Sequence, residues 1–271
     1  RGESWGRAIA VDHWGNVFVC GETSLEGPTG YLTIKYAPNG DEVWWRKYEG
    51  SLQGLGNNVA YGMTLDGFGN VYVTGIIYNA ATEEAQLATV KYNADGDSIW
   101  IQESNGGTGA DWLSRFDCGI TLDVYGNVYV CGPRLNSGTY EDYLTLKFGP
   151  DGKELWSQRY NGSADSTDYA YDLKVDKSYN VIVTGWSYNR VSGFDYVTIK
   201  YTQQFLRGDV NSDGKISVSD VVYLINYLFK GGRSPNPFLY LGDVNCDSKV
   251  TVSDVVYLVN YLFKGGLPPA C

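Results

Sequence analysis

Hydrophobic and polar positions alternate in short runs through the first 205 residues. "AIAVD" (8–12) passes through "HWGN" to "VFVCG" (17–21), and "YLTIKY" (31–36) passes through "APNGD" to "VWWRKY" (43–48). A period of two predicts β-strands, and the β-branched and aromatic residues in the runs suit a pleated surface. Gly and Asn in the links supply the positive φ that tight turns need. After residue 205 the period changes. Val221, Val222, Leu224, Ile225, Leu228 and Phe229 fall at helical spacing and make one broad apolar face, which Gly231-Gly232 ends; Gly265-Gly266 ends a second copy.

The strand region is a repeat. "NVFVCG" (16–21), "NVYVTG" (70–75), "NVYVCG" (127–132) and "NVIVTG" (180–185) each follow an aspartate: Asp12, Asp66, Asp123 and Asp176. A second set reads "YLTIKY", "LATVKY", "YLTLKF" and "YVTIKY"; a third reads "EVWWRKYEG", "SIWIQESNG" and "ELWSQRYNG". The period is 53–57 residues. Four short antiparallel strands at this spacing predict a propeller blade. The pattern resembles a bacterial β-propeller repeat family with a D-x-x-G-N-V-Y-V-T-G signature, found in secreted and surface proteins. That resemblance implies fold and little about activity. The repeats run over about 5–56, 57–110, 111–164 and 165–205 and make one propeller domain, 1–205. The last unit lacks its Trp strand, which leaves an open sheet edge of the kind proteins normally cover. Trp44, Trp100 and Trp156 are expected to pack between blades. Lys35, Lys91, Lys147 and Lys200 are expected to form the polar face of alternating strands.

The remaining segment, 206–271, holds a doubled acidic loop. "GDVNSDGKISVSD" (208–220) returns 34 residues later as "GDVNCDSKVTVSD" (242–254). Asp209, Asn211, Asp213, Lys215, Ser217 and Asp220 occupy positions 1, 3, 5, 7, 9 and 12 of a calcium loop. Asp243, Asn245, Asp247, Lys249, Thr251 and Asp254 occupy the same positions in the second copy. A hard cation takes several oxygens at about 2.3–2.6 Å, and the lysines need supply only a backbone carbonyl. Gly214 provides the sharp bend at position 6, where the second copy has Ser248 and is expected to be strained. Two loop–helix hands of this kind resemble a dockerin domain, the calcium-dependent plug that binds cohesin modules. The resemblance implies two Ca2+ ions and a cohesin-like partner. Dockerins usually carry small polar pairs at loop positions 10 and 11 and basic residues on the helix. Here the pairs are Val218-Ser219 and Val252-Ser253, and the helices offer Ile225-Asn226 and Val259-Asn260.

The fold class expected is therefore mainly β: a four-bladed or incomplete β-propeller, followed by a small α-helical dockerin-like domain with two EF-hand-type calcium loops. Composition narrows the function. The net charge is −10, and residues 206–271 hold six basic and six acidic side chains, so the excess lies in 1–205. An acidic main domain argues against nucleic acid, whose phosphates need a basic surface. No run reaches the length of a membrane span. The chain begins with Arg and reads as a mature or truncated product. Five cysteines leave one over. Cys246 and Cys271 are expected to bridge, while Cys118 and Cys131 face each other across a hairpin and either bridge or pack side by side. Calcium loops and disulfides point to an extracellular or cell-surface location.

No enzyme is expected. "GESWG" (2–6) matches a G-x-S-x-G elbow in letters, but it precedes a strand-rich segment, and the single histidine, His13, lies in a hairpin turn. "NGS" (161–163) is a glycosylation sequon on a predicted loop. The expected role is a non-catalytic interaction module docked through its calcium-folded tail. The alternative is a self-assembling subunit whose partner is another copy of the chain. A third reading is a scaffold-targeted propeller that binds or hydrolyses polysaccharide.

Overall fold

The computed structural model describes residues 2–51, 58–79, 84–104, 107–108, 118–136, 139–203 and 205–269. The chain divides into two compact units, Arg1–Tyr201 and Thr202–Cys271. The division falls four residues ahead of the boundary read from the sequence.

The first unit is built of antiparallel meanders. Strands β1 (Ser4–Val11), β2 (Val17–Thr23), β3 (Gly30–Tyr36) and β4 (Glu42–Tyr48) form the first blade in chain order. β5 (Val59–Leu65), β6 (Val71–Asn79), β7 (Glu84–Tyr92) and β8 (Ser98–Glu103) form the second, and the two-residue β9 (Gly107–Thr108) adds to β7. The third holds β10 (Gly119–Leu122), β11 (Val128–Asn136), β12 (Thr139–Phe148) and β13 (Glu154–Tyr160). The fourth has three strands: β14 (Asp168–Val175), β15 (Val181–Asn189) and β16 (Gly193–Tyr201). The missing Trp strand of the last repeat is thus a real gap in its sheet. The short β9 was not anticipated, because two residues carry no readable period.

The repeated motifs have local causes. Each D-x-x-G-N turn is closed by its aspartate. Asp12 Oδ1 accepts the amides of Trp14 and Asn16 at 3.0 and 2.8 Å, and Oδ2 accepts Asn16 Nδ2 at 2.7 Å. Asp66, Asp123 and Asp176 make the same turn bonds, and Asp176 also accepts Asn180 Nδ2 at Oδ1. The glycine ending three of the four V-x-V-x-G runs is required by close approach of backbone. A Cβ on Gly21, Gly75 or Gly185 would lie within 2.0 Å of a carbonyl oxygen of the neighbouring strand.

The core of this unit lies between blades, not within them. Phe18, Cys20, Tyr31 and Trp44 of the first blade pack with Val71, Val73, Val90 and Tyr92 of the second. Tyr72, Ile76 and Trp100 of the second pack with Ile120, Val128, Val130 and Leu146 of the third. Tyr129, Cys131 and Tyr143 of the third meet Leu173, Val181 and Val183 of the fourth. Trp44 and Trp100 sit at these joints, as their repetition suggested. Three of the four lysines correct the expectation: Lys91 and Lys147 are buried and Lys35 is half-buried, while Lys200 is exposed on the polar face as expected. Lys35 Nζ and Trp44 Nε1 both donate to the Ala94 carbonyl of the next blade, at 2.9 and 3.1 Å. Lys91 Nζ and Trp100 Nε1 both donate to the Pro150 carbonyl, at 3.4 and 3.2 Å. A buried ammonium must find such partners or lose its charge.

The cysteines of the third blade do not bridge. Cys20, Cys118 and Cys131 are buried and outside any disulfide. Cys131 pairs with Gly119, not Cys118, so the two thiols are one residue out of register and point to opposite faces. Cys118 joins the packing toward the second blade and Cys131 that toward the fourth.

The second unit holds two helices, α1 (Val218–Lys230) and α2 (Val252–Lys264), with a short 3₁₀ turn at Leu239–Gly242. Val210, Val221 and Leu224 from the first hand meet their counterparts Val244, Val255 and Leu258 from the second, making one core with internal two-fold repetition. No described helix is long and apolar enough to cross a membrane.

Candidate metal centre

Each loop of the second unit leads directly into a helix N-terminus, and one aspartate serves both. Asp220 is the third residue of α1. Its Oδ2 accepts the Ser217 amide at 2.8 Å and Ser217 Oγ takes the Asp220 amide in return, a capping box, while Ser217 Oγ also accepts from the Ser219 amide. Asp220 Oδ1 accepts the amides of Val210 and Asn211 at 2.9 and 3.3 Å, which ties the helix start to the start of the loop. Asp254 repeats every contact: Thr251 N at 2.8 Å, Val244 N at 2.9 Å and Asn245 N at 3.2 Å.

The loop folds around the remaining carboxylates. Asp209 Oδ1 and Oδ2 accept the amides of Asp213 and Gly214 at 3.0 and 2.9 Å. Asn211 Oδ1 also takes the Asp213 amide, and Asp213 Oδ1 takes that of Lys215. A carboxylate oxygen from each of Asp209, Asp213 and Asp220 lies within 4.8 Å of the others, the one such triad among the described residues. Asp209 and Asp220 are buried, and burial, reinforced by nearby carboxylates (Asp220 beside Asp209, Asp213 beside both), pushes both up to about 6 against the pull of backbone amides. Three converging carboxylates, two of them desolvated, are the kind of donor set that a hard cation takes. The chain's residues fit that ion: short oxygen-bearing side chains alternate, and Gly214 turns at φ 85°.

The second loop follows the same path with two differences. Ser248 takes φ 66° where Gly214 stands in the first copy, the strained turn the sequence suggested. Arg207 has no counterpart in the sequence reading. Its Nη1 lies 3.4 Å from Asp243 Oδ2 and donates to the Asp243 carbonyl, and its guanidinium rests over the Tyr240 ring. A cation is thus already beside the first acid of the second loop. The signal was present as a basic residue two positions ahead of Asp209, but its partner lies 36 residues away. Lys215, Lys249 and Asp247 are exposed, with Ser217 and Thr251 capping the helices. Cys246, in the second loop, is disulfide-bonded; Cys271, its expected partner, lies outside the described residues.

The features of a catalytic reading stand apart. Ser4 opens β1 with its Oγ 2.7 Å from Thr23 Oγ1, and the His13 ring lies against Trp14, tilted by 38° with centroids 3.5 Å apart.

Known proteins resemble the chain in two ways. No curated protein matches it. Solved structures align only loosely. A candidate gluconolactonase shares 14% identity over 73% of this chain and 60% of its own, with a TM-score of 0.33. The chain thus spans less than two thirds of that protein. A fucose lectin from Kordia zhangzhouensis shares 14% over 53% of this chain and 96% of its own, with a TM-score of 0.34. An endo-arabinanase from Bacillus licheniformis shares 9% over 71% and 91%, with a TM-score of 0.26. The second unit is matched directly: residues 207–263, which contain both acidic loops and both capped helices except the last residue of α2, match the dockerin type I domain family.

Proposed function

We propose that the second unit is a calcium-folded docking module that carries the propeller blades to a cohesin-like receptor, and that the chain is not itself an enzyme. The carrying observation is the union of ligand loop and helix cap in Asp220 and Asp254. An ion held by Asp209, Asn211, Asp213 and Asp220, with the Lys215 carbonyl and Ser217, would fix the orientation of α1; Asp243, Asn245, Asp247, Lys249, Thr251 and Asp254 would do so for α2. The bound ion supplies charge neutralisation and rigidity.

The docking surface is the outward side of the helices. Val218, Val222 and Phe229 are exposed on α1, and Val252, Val256 and Phe263 are exposed at the same positions on α2. Exposed apolar residues at helical spacing form a contact stripe, and the two stripes are copies of each other. An apolar stripe without lysine or arginine in its middle favours a receptor whose contact face is also apolar.

The test is capture of the full chain by an immobilised cohesin panel in calcium and in chelator. Calcium-dependent capture, weakened at least tenfold in a Val222→Asp, Val256→Asp double variant, is expected. A chain that binds two calcium ions yet engages no cohesin would overturn the docking reading while leaving the metal site intact.

A further inference from the structure

The joints between blades follow one rule, and the first blade carries half of a joint. At each of the first two joints, a Lys–Trp pair from the earlier blade reaches one carbonyl of the next blade. The Lys and Trp are direct cross-strand partners: Lys35 with Trp44, Lys91 with Trp100, and Lys147 with Trp156. The indole then lies on a turn glycine of the receiving blade. A Cβ on Gly96 would come within 2.8 Å of Trp44, and one on Gly152 within 2.8 Å of Trp100. The equivalent residue of the first blade is Gly40, in the same turn and at the same positive φ, and a Cβ there would meet nothing beyond its chain neighbours within 4 Å. The carbonyl equivalent to those of Ala94 and Pro150 belongs to Pro38, which is exposed.

The face around this socket is apolar and less covered than its counterparts. Ile9 is 69% exposed, whereas Ile120 and Leu173 at the same strand position are 8% and 1% exposed. Val17 and Val19 are half-buried, whereas the matching valines of every later blade, from Val71 and Val73 to Val181 and Val183, are fully buried. The difference is not in residue type. It follows from what stands in front of the blade.

We infer that the first blade is a docking surface for a further blade of this same repeat, one that comes from outside residues 1–271 and carries an intact Lys–Trp pair. A second copy of the chain does not offer one. Trp44 and Trp100 are engaged at their own joints, and Trp156 packs on Tyr201 of the fourth blade. The fourth blade has no Trp strand, and its Lys200 lies 3.2 Å from Asp176. The incoming blade therefore supplies two donors for the Pro38 carbonyl, an indole for Gly40, and an apolar face for Ile9, Val17 and Val19.

The test appends a copy of residues 57–110 ahead of Ser4 of the full chain. Solvent paramagnetic relaxation at the Ile9 methyl is expected to fall several-fold as its exposure drops from 69% toward the 8% of Ile120, with contacts from the appended indole to Gly40. A Trp100→Ala change in the appended copy alone should remove the indole contacts and restore most of the relaxation. Should the Trp100→Ala copy fold poorly, Ile9→Glu in the receiving blade, at a side chain 69% exposed without the appended blade, tests the same face from the other side and should remove the indole contacts to Gly40. Unchanged relaxation at Ile9 beside a folded appended blade overturns the inference. So does concentration-dependent self-association of the unmodified chain that buries Ile9 and Gly40, which would make the occupant a second copy.

Discussion

At the scale of the residue, the acidic loops put charge where water is scarce. Asp209 and Asp220 are held up to about 6, first by burial and, more weakly, by their acidic neighbours. Without metal, each carboxyl is more basic folded than unfolded, so its contribution to stability is complete below the ordinary value of 3.8 and is lost as pH rises through about 6. Calcium reverses the order, because it needs both groups ionised. The second unit in chelator is therefore expected to melt higher at pH 5 than at pH 7.5. In calcium it should melt higher at pH 7.5, with affinity falling as pH drops through about 6. Thermal melts followed by circular dichroism at 222 nm, where the helices dominate, would check this. Identical pH dependence in both media would contradict the assignment of these carboxylates as ligands.

At the scale of the element, the blade is a sheet whose apolar faces belong to its neighbours. Trp100 illustrates this: its ring packs near Tyr72 of its own blade and Phe148 of the next, and its N–H reaches the Pro150 carbonyl. Trp100→Ala should leave a cavity at that joint and destabilise the first unit by roughly 3–5 kcal/mol. Trp100→Phe should keep most of the packing and lose the hydrogen bond, costing about 1 kcal/mol. Chemical denaturation of the two variants measures the difference. Equal losses would mean that the indole N–H, not the ring, holds the joint.

At the scale of the whole molecule, two units with different sources of stability share one chain. The first rests on apolar packing between blades, the second on a small core and loops of like charge. Removing calcium should therefore loosen residues 202–271 and leave the blades folded. Calorimetry should show two transitions, only one of which shifts with chelator, by several degrees or more. A single transition that moves as a whole would show that the units fold as one.

The strands, the repeat, the unfinished fourth blade and the alternating acids of the loops were all legible in the sequence, because each is a local pattern: period two, turn glycine, alternating acid. The loop–helix hand was legible for the same reason, since Ser217 to Asp220 and Thr251 to Asp254 span a single turn. Tertiary structure alone decided the rest. The repeated lysines looked like a solvated strand face, and only the next blade's carbonyl, more than 50 residues away, draws Lys35 and Lys91 into the joints as donors. Cys118 and Cys131 looked opposed, and a one-residue difference in register set them on opposite faces. Arg207 acquired its acid through the folding of a loop 36 residues on. The vacancy at Gly40 has no sequence signature at all, since the turn reads like its repeats; it exists because covering a face requires a second surface in space.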